Sequence, residues 1–169
     1  MKLPLSFFVM TALLTCTQAI AQNYDTSTLP KTKEEFVKSE PDFISAAKWL
    51  ETTPLGTDND KRKQMNAWVL AWLVNSPTVT VEVSGGLTKL FNKNNDLLGV
   101  FMAGYVRYCL ENNYSKDKLK GTVAGVKSAI NCYNLGGDIK KDKSLKNAID
   151  ADKNGTLEDW VKQVIMEAK

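Results

Sequence analysis

There is no histidine anywhere in the 169-residue chain. That absence excludes Ser-His and Cys-His nucleophile activation and every imidazole metal site. The Cys-x-x-Cys-His attachment pattern for haem is missing as well. No Gly-x-x-x-x-Gly-Lys-Ser/Thr loop occurs, and no dinucleotide fingerprint follows a strand, so the recognisable phosphate cradles are absent. Charge of one sign is scarce too. The formal net charge is +3, and removal of an export signal bearing Lys2 would lower it by one. A balance that small gives no global attraction to nucleic acid or to an anionic membrane. Beyond the amino terminus no apolar run approaches the eighteen or so residues a transmembrane helix needs. The most apolar later stretch, Ala67–Val74 (AWVLAWLV), is short and predicts a buried central helix.

The amino terminus reads as an export signal over residues 1–21. Lys2 supplies the positive start, Leu3–Leu14 the apolar run, and Ala19-Ile20-Ala21 the small-x-small cleavage site. Cys16 follows Thr15, where a lipid-modified cysteine would follow a small residue, so plain export to the periplasm or beyond is expected. Residues 22–33 are polar and aperiodic and predict a flexible leader. Residues 34–169 are then enough for one domain with one core. Cys109 and Cys132 fall on consecutive predicted helices. Along a straight hairpin their offset is about 20 Å, against about 4.4–6.8 Å for bridged Cα atoms. Two buried free thiols are expected.

Helical periodicity dominates the rest of the chain. Thr32–Ser39 carries a start signal, and Pro41 is read as opening a second helix with Phe43, Ala46, Ala47 and Leu50 on one face. Met65, Trp68, Val69, Trp72 and Leu73 form the next apolar stripe, stopped at Pro77. After a short turn at Leu87–Phe91, a longer helix carries Leu98, Phe101, Met102, Tyr105 and Cys109. Ser115 is read as the cap of another helix, whose Gly121 and Gly125 suit a close helix approach. Lys143–Ala151 and Leu157–Ala168 complete the set. The prediction is an all-α single domain of about six or seven helices. One segment departs from it: Val79, Val81 and Val83 alternate with Thr80 and Glu82, a two-residue period that predicts an extended stretch near 78–83. It is either an ordered connection or an edge that pairs with a peptide or a second copy.

Three further groups could carry chemistry. Asp150, Asp152, Asn154, Thr156 and Glu158 fit the first ligand positions of an EF-hand loop, with Gly155 at its sharp turn. Position twelve holds Val161 where the loop uses a bidentate glutamate, so weak calcium binding at most is expected. Asn154-Gly155 serves equally well as a helix stop. Glu51, Glu111 and Asp96 lie beside aromatics, and two carboxylates about 5–9.5 Å apart are what a glycan hydrolase requires. Lys140, Lys141 and Lys143 lie in a lysine-rich stretch that could meet an acidic protein or a lipid headgroup.

The segments SPTVTVEV, NDLLGVFMAGYVRYCLENNYSKDK and AIDADKNGTLEDWVK together resemble a group of small exported helical proteins of Bacteroidetes, uncharacterised in activity. More faintly, FMAGYVRYC with a following helix and a Trp-bearing tail is similar to secreted helical immunity proteins that neutralise type VI secretion toxins. The first resemblance implies export and a helical fold, the second a protein partner. Composition and motifs together favour binding over catalysis, with toxin neutralisation and carboxylate-dependent glycan hydrolysis as alternatives. No cofactor is expected.

Overall fold

The computed structural model describes residues 24–166. The expected export signal, 1–21, lies outside the described residues. Among them the fold is all-α, with seven helices and no strand. These are α1 (Lys33–Thr52), α2 (Asn59–Asn75), α3 (Gly85–Leu90), α4 (Asp96–Glu111), α5 (Lys118–Asn134), α6 (Lys143–Lys153) and α7 (Leu157–Met166). None is long and apolar enough to cross a membrane.

The described part of the leader is in contact with the domain. Asp25 caps a 3-10 turn at Thr26–Thr28, and the Tyr24 ring meets Trp68 edge-on at 5.4 Å. Thr32 then starts α1 with a reciprocal capping box. Glu35 N–H donates to Thr32 Oγ1 at 3.2 Å, and Thr32 N–H donates to Glu35 Oε2 at 3.3 Å. Such caps are worth about 1 kcal/mol.

Pro41 does not open a new helix; α1 runs through it. A mid-helix proline removes one backbone hydrogen bond and crowds the preceding turn, at about 3 kcal/mol. Packing on both sides offsets that cost. Phe36 and Phe43 flank the proline, and both rings meet Trp72, at 5.4 and 4.5 Å. Trp72 Nε1 donates to Ser39 Oγ at 2.8 Å, so one side chain of α2 spans the weak point.

The centre of the molecule is α4, not the apolar run of α2. Leu97, Val100, Phe101, Ala103 and Val106 are all fully buried, whereas Val74 is 82% exposed. The most extensive pairing joins α4 to α5. Small residues allow it: a Cβ on Gly125 would lie 2.6 Å from Phe101 O, and one on Gly104 would overlap Ser128. The expected close approach at Gly121 and Gly125 is observed. Helix α1 crosses this pair, α2 packs on α1, and α6 and α7 cover α5. Glu51 on α1, Arg107 on α4 and Asn131 on α5 lock the three together. Arg107 Nη1 lies 2.8 Å from Glu51 Oε2, and Asn131 Nδ2 donates to Glu51 Oε1 at 2.7 Å.

Candidate functional site

The connection between α2 and α3 positions the site. Along it Val79 is buried, Val81 and Val83 pack against the core, and Thr80 and Glu82 are turned outward. Only an extended chain turns successive side chains to opposite sides in this way. The expected extended segment is therefore present, but it pairs with no strand. Among the described residues, the backbone N–H and C=O groups of Val79–Val83 make no hydrogen bond to protein. The valine side chains themselves are core anchors. What the segment leaves unpaired among the described residues is backbone.

Beside it lies a cavity of about 220 Å³, walled by Thr78, Val79, Thr80 and Glu82 on one side and by Tyr105, Cys109, Tyr114–Lys116 and Lys118 on the other. The far wall is shaped by a tight turn after α4. Asn113 and Tyr114 both hold positive φ, 54° and 55°. Asparagine tolerates this region, while a tyrosine there stores of order 1 kcal/mol or more. Tyr114 Oη donates to Glu40 Oε2 at 3.1 Å, which ties the turn to α1. Burial pushes the Glu40 carboxyl up, opposed by hydrogen bonds from Tyr114 and Thr78. Asp117, not Ser115, caps α5, accepting from Lys120 N–H at 3.0 Å; Ser115 Oγ instead accepts from Asp117 N–H.

Tyr105 forms the floor. Its ring lies against the bare Cα of Gly121, where a Cβ would stand 2.8 Å from Cε2 and Cζ. The residue is 3% exposed, and its hydroxyl opens onto the cavity without a hydrogen-bond partner among the described residues. Burial first, then the nearby Cys109, Glu82 and Asp117, push its pKa up to about 12. Lys118 Nζ joins the walls, donating to both oxygens of Glu82 at 2.6 and 2.7 Å. Both side chains are about two-thirds exposed, so this strap contributes at most about 1 kcal/mol and opens at little cost.

The calcium-like set folds as a helix joint. Asp150 and Asp152 belong to α6, paired with Lys146 and, at 3.5 Å, with Lys127. Gly155 takes φ 72°; its N–H donates to Asp152 O, and Thr156 N–H donates to Ala151 O. These two bonds are those of a Schellman stop. Thr156 Oγ1 donates back to Ala151 O and Glu158 meets Lys162 at 3.1 Å. Val161, at the position where calcium would need a carboxylate, is fully buried. Among the described residues no three Cys, Asp or Glu side chains gather around one point.

Of the three carboxylates considered for hydrolysis, Glu51 and Glu111 meet at one cation and Asp96 stands apart. Asp96 and Glu111 stand at opposite ends of α4, about 22 Å apart along its axis. Glu111 shares Arg107 with Glu51, at 3.8 and 2.8 Å. Lys140, Lys141 and Lys143 lie on the surface. The loop that carries them is pinned by buried Asn94, which donates to Lys140 O at 2.9 Å and accepts from Lys140 N–H at 2.8 Å. Cys109 and Cys132 are both free and buried, as expected. A broader depression of about 640 Å³ between Ser27–Lys31 and α1 is open to solvent over most of its surface.

Tyr105 and Lys118 were not legible as site residues in the sequence. Tyr105 looked like one more member of an apolar stripe, and Lys118 like one more surface lysine. Compared with known proteins, the chain matches no family model, no curated protein and no solved structure.

Proposed function

We propose that this chain is an exported, non-catalytic binding protein whose partner lays an extended peptide segment along Val79–Val83. The observation that carries this reading is the backbone of that segment, unpaired among the described residues, with Val79 in the core and Val81 and Val83 packed against it. Addition of a strand to such an edge is a common recognition mode, in which main-chain bonds supply affinity. Each bond contributes about 0.5–1.5 kcal/mol net, so several together give a useful interaction from a short segment. The adjoining cavity would add selectivity.

The test is selection of extended peptides from a random display library on the mature chain, with Val81→Pro as the comparison protein. Proline at 81 removes a donor while leaving the helices in place. The expected result is a set of peptides that bind the wild type and lose binding to V81P, with helical content unchanged. Equal binding to both proteins would refute strand addition. A synthetic copy of SPTVTVEV competing for the same edge would show that the partner is a second copy of this chain.

A further inference from the structure

We infer that the cavity at the head of α5 is a carboxylate site, receiving a chain terminus or acidic side chain of the strand laid on Val79–Val83. The inference rests on the strand-addition reading for its ligand, but its chemistry stands on separate observations.

Helix α5 runs for 17 residues, and Ser115, Lys116 and Lys118 at its start line the cavity. Asp117 Oδ1 takes the Lys120 N–H and Asp117 O takes the Gly121 N–H. The N–H groups of Lys118 and Leu119 have no protein acceptor among the described residues. Free donors at a helix start, with the positive end of its dipole, favour an anion. The second observation is Tyr105, more than nine-tenths buried, whose unpartnered hydroxyl opens onto the same space. A phenol that keeps its proton offers a carboxylate a hydrogen-bond donor.

Charges of both signs surround the space, Glu82 and Asp117 against Lys116 and Lys118. Lys116 lines the cavity and makes no ion pair among the described residues, and Lys118 already holds one carboxylate, that of Glu82. An incoming carboxylate can therefore take the place that Glu82 occupies. The remaining acid, Asp117, is turned to its own helix by Lys120, 3.8 Å away, and by the cap bond. Size narrows the ligand further. At about 220 Å³ the space is below the 300–1,000 Å³ of pockets for drug-sized ligands, and holds one side chain or chain end.

The first arm of the experiment is an NMR titration of the mature chain with acetate, and with acetamide as its neutral isostere. Saturable shifts of the Lys118 and Leu119 amides with acetate alone are expected, weakened about tenfold or more in Tyr105→Phe. Shifts that are equal for the two compounds, or unaltered in Y105F, would overturn the carboxylate site. Melting of Y105F monitored by circular dichroism reports that the fold is intact.

The second arm uses three peptides of alternating Val and Thr: a free acid, its amide, and the amide with one internal Glu. Tighter binding of the free acid identifies a chain terminus as the source. Tighter binding of the Glu peptide identifies a side chain. Equal binding of all three overturns the inference and leaves strand addition standing. Acetate binding without any peptide binding does the reverse.

Discussion

Gly125 faces Phe101 so closely that a methyl group on its Cα would stand 2.6 Å from the Phe101 carbonyl oxygen. The clashing atom is backbone, so no side chain can swing aside. Gly125→Ala should force α4 and α5 apart and destabilise the fold by about 1–3 kcal/mol. Gly85 starts α3, and a methyl group there would have no neighbour within 4 Å. Gly85→Ala should therefore be neutral or stabilising by up to about 1 kcal/mol. Urea midpoints of the two variants check the contrast. Equal midpoints would mean the helices are not in contact at Gly125.

Glu51 is the polar link among α1, α4 and α5, and its partner Arg107 is only 20% exposed. Removing Glu51 leaves Arg107 with only its longer contact to Glu111, at 3.8 Å. Glu51→Ala should cost about 2–4 kcal/mol, near the lower end of buried pairs because Arg107 retains some water. Adding Arg107→Met to it should cost less than the two single changes summed. A double-mutant cycle measures this coupling. Additive losses would show that the two side chains act independently.

Much of this architecture is legible in the sequence because helical periodicity survives local exceptions. The stripe Met65, Trp68, Val69 and Trp72 faces inward as its spacing requires. Alternating valines set the path of the extended segment, since each points to the core. Pro41 misleads because its local cost is overcome by Trp72, which is distant in sequence. The run Ala67–Val74 misleads in another way: its apolar count exceeds what the fold buries. Tyr105 is illegible for a related reason. Whether a stripe residue ends in packed core or opens onto a cavity depends on the turn at Asn113-Tyr114 and on the path of Val79–Val83.

The two cysteines face different neighbours. Cys132 Sγ lies 3.7 Å from Thr53 O, and Cys109 lines the cavity beside Tyr105. Burial pushes both thiols up, so neither is a ready nucleophile at neutral pH. Iodoacetamide should leave the native mature chain unmodified and label both residues after denaturation. The intact mass should show no Cys109–Cys132 crosslink. Rapid labelling of native Cys109 would mean the cavity is wider than described.

Tyr105 makes a pH prediction with a definite sign. Its hydroxyl holds its proton to about 12 in the fold, against the ordinary value of 10.0. As pH rises through 10 the unfolded chain loses this proton first, so the folded state binds more protons and stability falls toward pH 12. Below 10 the contribution is fully present. The loss is at most about 2–3 kcal/mol, reduced by the opening of the hydroxyl onto the cavity. The stability gap between wild type and Tyr105→Phe should be constant to pH 10 and then move in favour of Y105F. Urea midpoints across this range measure it, and a gap unchanged through pH 12 would contradict the burial of this phenol.

The most direct test of strand addition is amide hydrogen exchange at Val79–Val83, alone and with a display-selected peptide. Fast exchange is predicted in the free chain, because these amides have no acceptor among the described residues. Marked slowing on peptide binding, confined to this segment and the start of α5, is predicted for the complex. Slow exchange in the free chain, or binding that leaves these amides unprotected, would contradict the account.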